Sequence, residues 1–217
     1  MTEAPDAYRD SSNKTLEEYP RPSVAVDTAV LTVAEDRLQV VLTDSDRDLR
    51  LPGTFLHRGE VLVAAAERAL KTKVGVEGIE PVQLHVFDRP DRDDRGWVLS
   101  VAHVAAVSAD RLAPSADLRL TPIDEIARLR LKYDHAEIVG LAVEWLRSRY
   151  RDDADPEHLL PDEFTLLELE HLHETVAGIP LTVDGFRRRM VRNGRVVETG
   201  RTSVGTIGKP ARFFRRA

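Results

Sequence analysis

Ten basic residues and one acidic residue occupy positions 186–217 of this 217-residue chain, and four of the ten fall close together as Arg187, Arg188, Arg189 and Arg192. The spacing predicts a helix here, capped by Thr182 and running through Asn193, with Gly194 as its left-handed stop. At 100° per residue Val183, Phe186 and Met190 share its inner side, while Arg188 and Arg192 lie nearly opposite, flanked by Arg187 and Arg189. A guanidinium-rich helix face suits a DNA major groove, because each Arg fork donates two bonds to guanine or clamps a phosphate. Arg201, Lys209, Arg212, Arg215 and Arg216 add positive charge just beyond, where phosphate contacts are expected. The competing reading is a solvated charged face; the scarcity of neighbouring carboxylates favours DNA.

Other residues of chemical interest are less decisive. The segment from Asp88 to Gly96 carries Arg89, Arg92 and Arg95, whose forks match a pyrophosphate, although a solvated loop accounts for them equally well. Trp97, beside that loop, is a core residue or one wall of a ligand pocket. His171 and His173 are two apart on a helix and point to different sides, which does not suit zinc. Gly205 to Pro210 is not a phosphate loop, since its first Gly is misplaced and Pro replaces the magnesium-binding hydroxyl. The absence of Cys excludes disulfides, thiolate zinc sites and cysteine nucleophiles.

The net charge is −6, yet the basic tail leaves everything before residue 186 strongly acidic, a sign reversal that points to a local interaction surface. Met1 to Asp6 lack a basic and an apolar signal region, and no stretch approaches the ~18 uncharged apolar residues of a membrane span. A soluble cytoplasmic protein with no membrane partner is expected.

The elements that would position these residues fall into two groups. Residues 1–19 are polar and read as a mobile arm. Val24–Val33 and Leu38–Thr43 read as antiparallel strands joined through residues 34–37. Val61–Val74 has the 3.6-residue period of an amphipathic helix, with Leu62, Ala66, Ala69 and Leu70 on one stripe and Gly75 as its stop. Val82–Phe87 and Trp97–Val107 form a hairpin around the charged loop. A further helix, capped by Asp134, carries Ile138, Leu141, Ala142, Trp145 and Leu146 inward and ends near Arg149. Residues 151–156 have linker composition. Beyond them, Thr165 and Glu168 form a capping box for a helix ending before Gly178, and a short turn leads into the Arg-rich helix. Two strands, around Arg195–Glu198 and Arg212–Arg215, close a wing.

Within the first group, Leu51-Pro52-Gly53, Glu60 and Arg68 to Val76 resemble a degraded Nudix box. Aligned on Glu60, Arg68, Leu70, Gly75 and Val76, the chain has Ala69, Thr72 and Lys73 where Nudix hydrolases have glutamates, and Thr54 in place of the first Gly. Hard divalent cations need several anionic oxygen ligands. An alanine, a hydroxyl and an ammonium do not supply them, so metal-dependent hydrolysis is expected to be lost. Glu60, Glu67 and Arg68 then read as ordinary helix surface, with Glu67 and Lys71 spaced for an i, i+4 pair.

The likeness extends beyond the box. Tyr19 to Pro22, Leu84 to Ala102, Tyr133 to Ile138, Phe164 to Leu166, Gly185 to Arg189 and Gly208 to Phe213 together resemble the Nudix-related transcriptional regulators of NAD metabolism, the NrtR-type repressors. The resemblance implies an α/β fold: a Nudix-like α/β/α sandwich over residues 20–152 and a C-terminal winged helix-turn-helix domain over 156–217. It implies a homodimeric repressor of NAD biosynthesis or salvage genes that binds a palindromic operator in double-stranded DNA. ADP-ribose or a related NAD nucleotide would be its effector, with no cofactor required and no catalytic or metal-ligating residue.

The DNA-contacting candidates are Arg187, Arg188, Arg189, Arg192, Arg201, Lys209 and Arg212. The effector-contacting candidates are Arg58, Lys73, Arg89, Arg92, Arg95 and Trp97. The alternative is an ADP-ribose or nucleotide pyrophosphatase whose basic tail grips substrate phosphates or RNA.

Overall fold

The computed structural model describes residues 8–45, 48–112, 115, 117–203 and 210–217. Its first strand, β1 (Ser23–Ala34), is buried continuously from Ala25 to Thr32, as befits a strand with neighbours on both edges and cover on both faces. β2 (Arg37–Ser45) returns antiparallel through a turn in which Glu35 and Asp36 both adopt positive φ. This is the tight connection whose twist matches that of paired strands.

β3 (Asp48–Arg50), β4 (Gly53–Phe55), β5 (Val82–Phe87), β6 (Val98–Ala106) and β7 (Leu118–Pro122) complete a seven-stranded sheet of order β3-β2-β1-β6-β5. β4 pairs with β1, β7 pairs with β2, and β1 and β6 run parallel. Alternation along β1 sends side chains to two faces. Val26 meets Ala65 and Ala66 of helix α1 (Leu62–Ala69), and Val30 meets Leu70 and Val74. Ala29 and Leu31 meet Ile138, Ala142 and Leu146 of helix α2 (His135–Arg149) on the opposite face. The result is the expected α/β/α sandwich.

The helix expected over 61–74 is of two kinds. α1 ends at Ala69, and Leu70–Val74 continue as a π turn closed by Gly75 at φ 75°. Asp134 stands at the start of α2 but does not cap it with its side chain; its carboxylate serves the charged loop instead. Residues 8–19, read as a mobile arm, contain a turn held by the Asp10 carboxylate, which accepts from the backbone N–H of Ser12 and Lys14 and from the Tyr19 hydroxyl.

Beyond α2, the capping box at Thr165 forms as expected: the Thr165 hydroxyl accepts from Glu168 N–H at 3.2 Å and the Glu168 carboxylate accepts from Thr165 N–H at 2.7 Å. Helix α3 (Leu166–Ala177) ends at Gly178 in the left-handed region, φ 74°. Helix α4 (Val183–Arg192) follows with Phe186 and Met190 buried. The wing has three strands rather than two. β8 (Phe164–Thr165), β9 (Val196–Thr202) and β10 (Arg212–Arg216) pair in the order β8-β10-β9. The two residues of β8 are too few to show an alternating pattern.

The two units are not separated by an open linker. Leu172 and Val176 of α3 lie in the same core as Ala29, Leu31, Ile138 and Leu146, while Leu169 packs with Phe164, Phe186, Met190 and Phe214. Arg147 of α2 donates from Nε to the Val176 carbonyl at 3.0 Å, satisfying one free carbonyl at the end of α3. Ala154 and Asp155, in the segment expected to be a solvated linker, are buried. The Asp155 carboxylate accepts from Tyr150 O–H, from Leu159 and Leu160 N–H at 2.9 Å each, and from the Arg216 guanidinium. A charged segment can sit inside because every lone pair of its carboxylate is used.

Removing one partner of a buried ion pair costs about 3–5 kcal/mol, because the other charge stays buried and uncompensated. Asp155→Ala is therefore expected to lower the melting temperature by on the order of 10 °C in a thermal scan. A shift within the error of the scan would show that the joint does not hold the two units.

Candidate functional site

A cavity of about 260 Å³ opens between the β1–β4 edge, the charged loop and the start of α2, lined by residues that include Asp27, Arg50, Gly53, Phe55, Lys73, Arg92, Arg95, Tyr133 and His135. Each reaches it for a local reason. Asp27 lies on β1 opposite Gly53 of β4, and a Cβ on Gly53 would stand 2.0 Å from Asp27 Oδ1, so only glycine lets the strands approach with the carboxylate between them. Ser100 O–H donates to Asp27 Oδ2 at 2.5 Å. His135 Nδ1 accepts from Leu51 N–H at 2.9 Å, which puts the ring proton on Nε2, 3.6 Å from Asp27 Oδ1. Burial pushes the Asp27 carboxyl up, but His135, Ser100 and the charge of Arg92 outweigh it and hold the group below its ordinary value.

The charged loop folds back on Asp134. Arg89 and Arg92 each donate to its carboxylate at 2.6 Å, Arg89 from the surface and Arg92 from a position where 1% of its side chain is exposed. Arg95 grips Asp93 through two nitrogens, at 2.9 and 2.7 Å, and its guanidinium carbon lies 5.2 Å from the ring centres of both Phe55 and Tyr133. That pairing raises Arg95 above its ordinary value. Lys73, on the π turn, donates from Nζ to the Gly53 carbonyl. Burial lowers its ammonium, Asp27 opposes that, and Arg50 adds to it.

The cavity thus gathers four cationic side chains, and both of its carboxylates already have donors. Arg50 Nε and Arg92 Nη2 are buried in its wall without a hydrogen-bond partner, and His135 Nε2 lies 3.6 Å from Asp27 Oδ1. Four cations against two carboxylates that are already engaged leave positive charge uncompensated, so this arrangement suits an anion with several oxygens.

It does not suit a divalent metal. The Glu60 carboxylate is locked by Arg68 Nε and Nη2 at 2.8 Å each and by His57 N–H at 2.9 Å. The Thr72 hydroxyl donates to the Arg68 carbonyl, and the Lys73 ammonium occupies the Gly53 carbonyl. Among the described residues no three His, Asp or Glu side chains gather as a metal site. Glu60 and Arg68 are therefore not ordinary helix surface. Arg68 also donates to Thr54 Oγ1 and the Phe55 carbonyl, pinning the loop that forms the cavity's rim. Glu67 does not pair with Lys71 either; Lys71 reaches Glu77 at 3.1 Å.

Of the effector candidates, the structure brings Lys73, Arg92 and Arg95 together at this cavity. Arg58 is exposed away from it, Arg89 sits on the outer side of Asp134, and Trp97 is 47% exposed and outside its wall. Sequence reasoning missed Asp27, Arg50, Phe55, Tyr133 and His135. One signal was present: Asp27 is the single charged residue of its strand, and a buried charge needs a reason.

On α4, Arg188, Arg189 and Arg192 are exposed. Arg187 instead turns inward, donating from Nε at 3.1 Å and Nη2 at 2.9 Å to the buried Glu170. Arg201 pairs with Glu163 and Arg212 with Glu198, both near the surface. Arg216, counted above with the wing charges, is committed to Asp155. Lys209 lies outside the described residues. His171 is exposed, whereas His173 is buried against Tyr150 and Phe186 and donates to the Ala154 carbonyl.

The profile of the NrtR DNA-binding winged helix domain matches residues 156–216. A protein of Acinetobacter baylyi named ADPR responsive transcriptional repressor NtrR is 31% identical over 212 residues, covering 92% of this chain and 84% of the relative. The chain belongs to the NrtR family. Shewanella oneidensis NrtR in complex with a 27mer DNA is similar with a TM-score of 0.78 and 27% identity, over 89% of this chain and 93% of that one. The NUDIX domain of the same protein in complex with ADP ribose matches with a TM-score of 0.54 and 25% identity, over 62% of this chain and 95% of that one. This NrtR-family chain therefore carries a Nudix-like sandwich followed by a winged helix, as the sequence led us to expect.

The lock on Glu60 has a measurable signature. Hydrogen bonds from Arg68 first, and from His57 N–H, hold its carboxyl at about 2 against an ordinary 4.5. A depressed acid contributes stability that is complete above the unfolded value and is lost as pH falls towards the folded one. Carboxyl-resolved NMR titration of Glu60 is expected to give a midpoint near 2. A midpoint at the free-glutamate value would mean that the lock is absent.

Proposed function

We propose that this protein is a DNA-binding transcriptional repressor of NAD biosynthesis or salvage genes, whose Nudix-like domain binds ADP-ribose or a related NAD derivative without hydrolysing it. The observation that carries the reading is the gathering of Arg50, Lys73, Arg92 and Arg95 around one cavity whose two carboxylates, Asp27 and Asp93, already have donors. A diphosphate offers many acceptor oxygens and two negative charges, and guanidinium forks match its geometry. Phe55 and Tyr133, which flank Arg95, offer ring faces to a base. With Glu60 held by Arg68 and Lys73 where a glutamate would be needed, the site can hold the nucleotide but has no means of activating water on a metal.

The reader is α4 with its wing. Arg188, Arg189 and Arg192 face the groove, and Arg201 and Arg212 meet phosphates on either side. Acting as a homodimer, two such helices sit about 34 Å apart, one turn of DNA, and select a palindromic operator. Effector control follows from differential affinity: ADP-ribose changes operator binding by the ratio of its affinities for the two arrangements of the dimer. The acidic residues that hold Arg201 and Arg212 in the free protein are surface partners, which DNA phosphates displace at little cost.

Titrating ADP-ribose into a fluorescent operator complex is expected to shift operator affinity by tenfold or more, about 1.4 kcal/mol; an unchanged affinity at saturating ligand would refute the reading. In the same assay Arg188→Ala is expected to weaken operator binding by about 1–3 kcal/mol and relax preference at one base pair, with the melting temperature unchanged. Arg187→Ala is expected to act the other way round, lowering the melting temperature because Glu170 is left buried and unpaired. Equal effects of the two on DNA affinity and on folding would contradict this division of roles.

A further inference from the structure

Lys73 and Arg50 stand where two cavities meet. Both line the 260 Å³ cavity described above, and both also line a neighbouring cavity of about 600 Å³ with Thr43, Asp44, Thr72, Ser115 and Asp117. The second cavity presents hydroxyls and two carboxylates, acceptors and donors of the kind that hold a sugar. The first presents aromatic rings and guanidinium groups. A molecule occupying both would have its two ends on either side and its connecting group against Lys73 and Arg50.

We propose that the Lys73 ammonium is a resident cation that takes the place of the divalent metal, neutralising the diphosphate of the effector at this waist. The inference rests on the reading of the site as a nucleotide-diphosphate sensor and adds how its charge is met. Three observations converge. Lys73 occupies a position whose counterpart in the resembling Nudix box is a glutamate. Its Nζ is already oriented into the cavity by the Gly53 carbonyl. The remaining carboxylate of the box, Glu60, is held by Arg68 and faces away from metal duty.

An ammonium tethered to the chain supplies one positive charge and up to three donors. One donor goes to Gly53, leaving two for phosphate oxygens. Unlike an exchangeable ion, it is present at any magnesium concentration, so the sensor would report the nucleotide alone. A lysine in the cavity also repels a cation, which removes the metal on which hydrolysis depends. Lys73 thereby meets the phosphate charge and, together with Ala69 and Thr72, leaves no place for the metal.

The test is calorimetric titration of ADP-ribose into the full-length protein, in EDTA and again in magnesium. The expected result is the same affinity in both. Lys73→Met, which keeps most of the stem and removes the charge, is expected to lose at least tenfold in affinity for ADP-ribose and for ADP while leaving adenosine binding unchanged. Lys73→Arg, which restores a cation, is expected to recover most of the loss. Magnesium strengthening wild-type binding severalfold, or Lys73→Met binding ADP-ribose as well as the wild type, would overturn the proposal while leaving the sensor reading intact. A loss for Lys73→Met that extends equally to adenosine would also overturn it, as would failure of Lys73→Arg to recover. No ADP-ribose binding by the wild type in either buffer would instead sink the sensor reading on which the proposal rests.

Discussion

Two side chains of the winged-helix unit, Leu172 and Val176, are buried in the core of the sandwich, and the rest of the molecule's logic depends on that. An apolar side chain fully buried is worth about 1.5–3 kcal/mol, so α3 cannot leave the sandwich without exposing both and without uncapping its own C-terminus from Arg147. The next turn of the same helix face carries Leu169, which belongs to the core formed by Phe186, Met190 and Phe214. α3 is therefore a shared wall. Whatever shifts α2 or β1 on one side of it is felt by α4 on the other, because close-packed interiors transmit displacement rather than absorb it.

The 260 Å³ cavity touches that wall's supports directly. His135, whose Nε2 lies 3.6 Å from Asp27 in the cavity wall, is the first residue of α2, and Asp134, which holds Arg89 and Arg92, immediately precedes it. α2 then runs to Tyr150 and the Asp155 joint, which also holds Arg216 from the last strand of the wing. An anion drawing Arg92 and Arg95 inward would pull on the start of α2, and the far end of α2 is fastened to the DNA-binding unit. The path is a chain of packed and hydrogen-bonded groups, with Asp155 satisfied on every side so that it can be buried at all.

Much of this was legible in the chain. The capping box at Thr165, the left-handed stop at Gly178 and the inward side of α4 are local patterns whose physics lies within one helix. The departure from the Nudix box is equally local, since Ala69, Thr72 and Lys73 lie within one short stretch. The cavity was harder to read. Asp27, Arg50, Phe55, Tyr133 and His135 come from strands, loops and a helix far apart in sequence, and only the β1–β4 pairing at Gly53 brings the first of them to the rest. Charge alone also misled about role. Arg187 and Arg216 look like their neighbours in the sequence, yet each faces a buried carboxylate, Glu170 or Asp155, and serves the fold. Residues 154–155 read as linker because a polar composition does not reveal that every polar group has found a partner.

Communication between the two units is read by amide hydrogen exchange of the full chain with and without saturating ADP-ribose. Altered protection is expected at β4 and the start of α2, which line the cavity, and also along α3 and at the buried side of α4. Altered protection confined to residues before 150, with α3 and α4 exchanging as in the free protein, would contradict it.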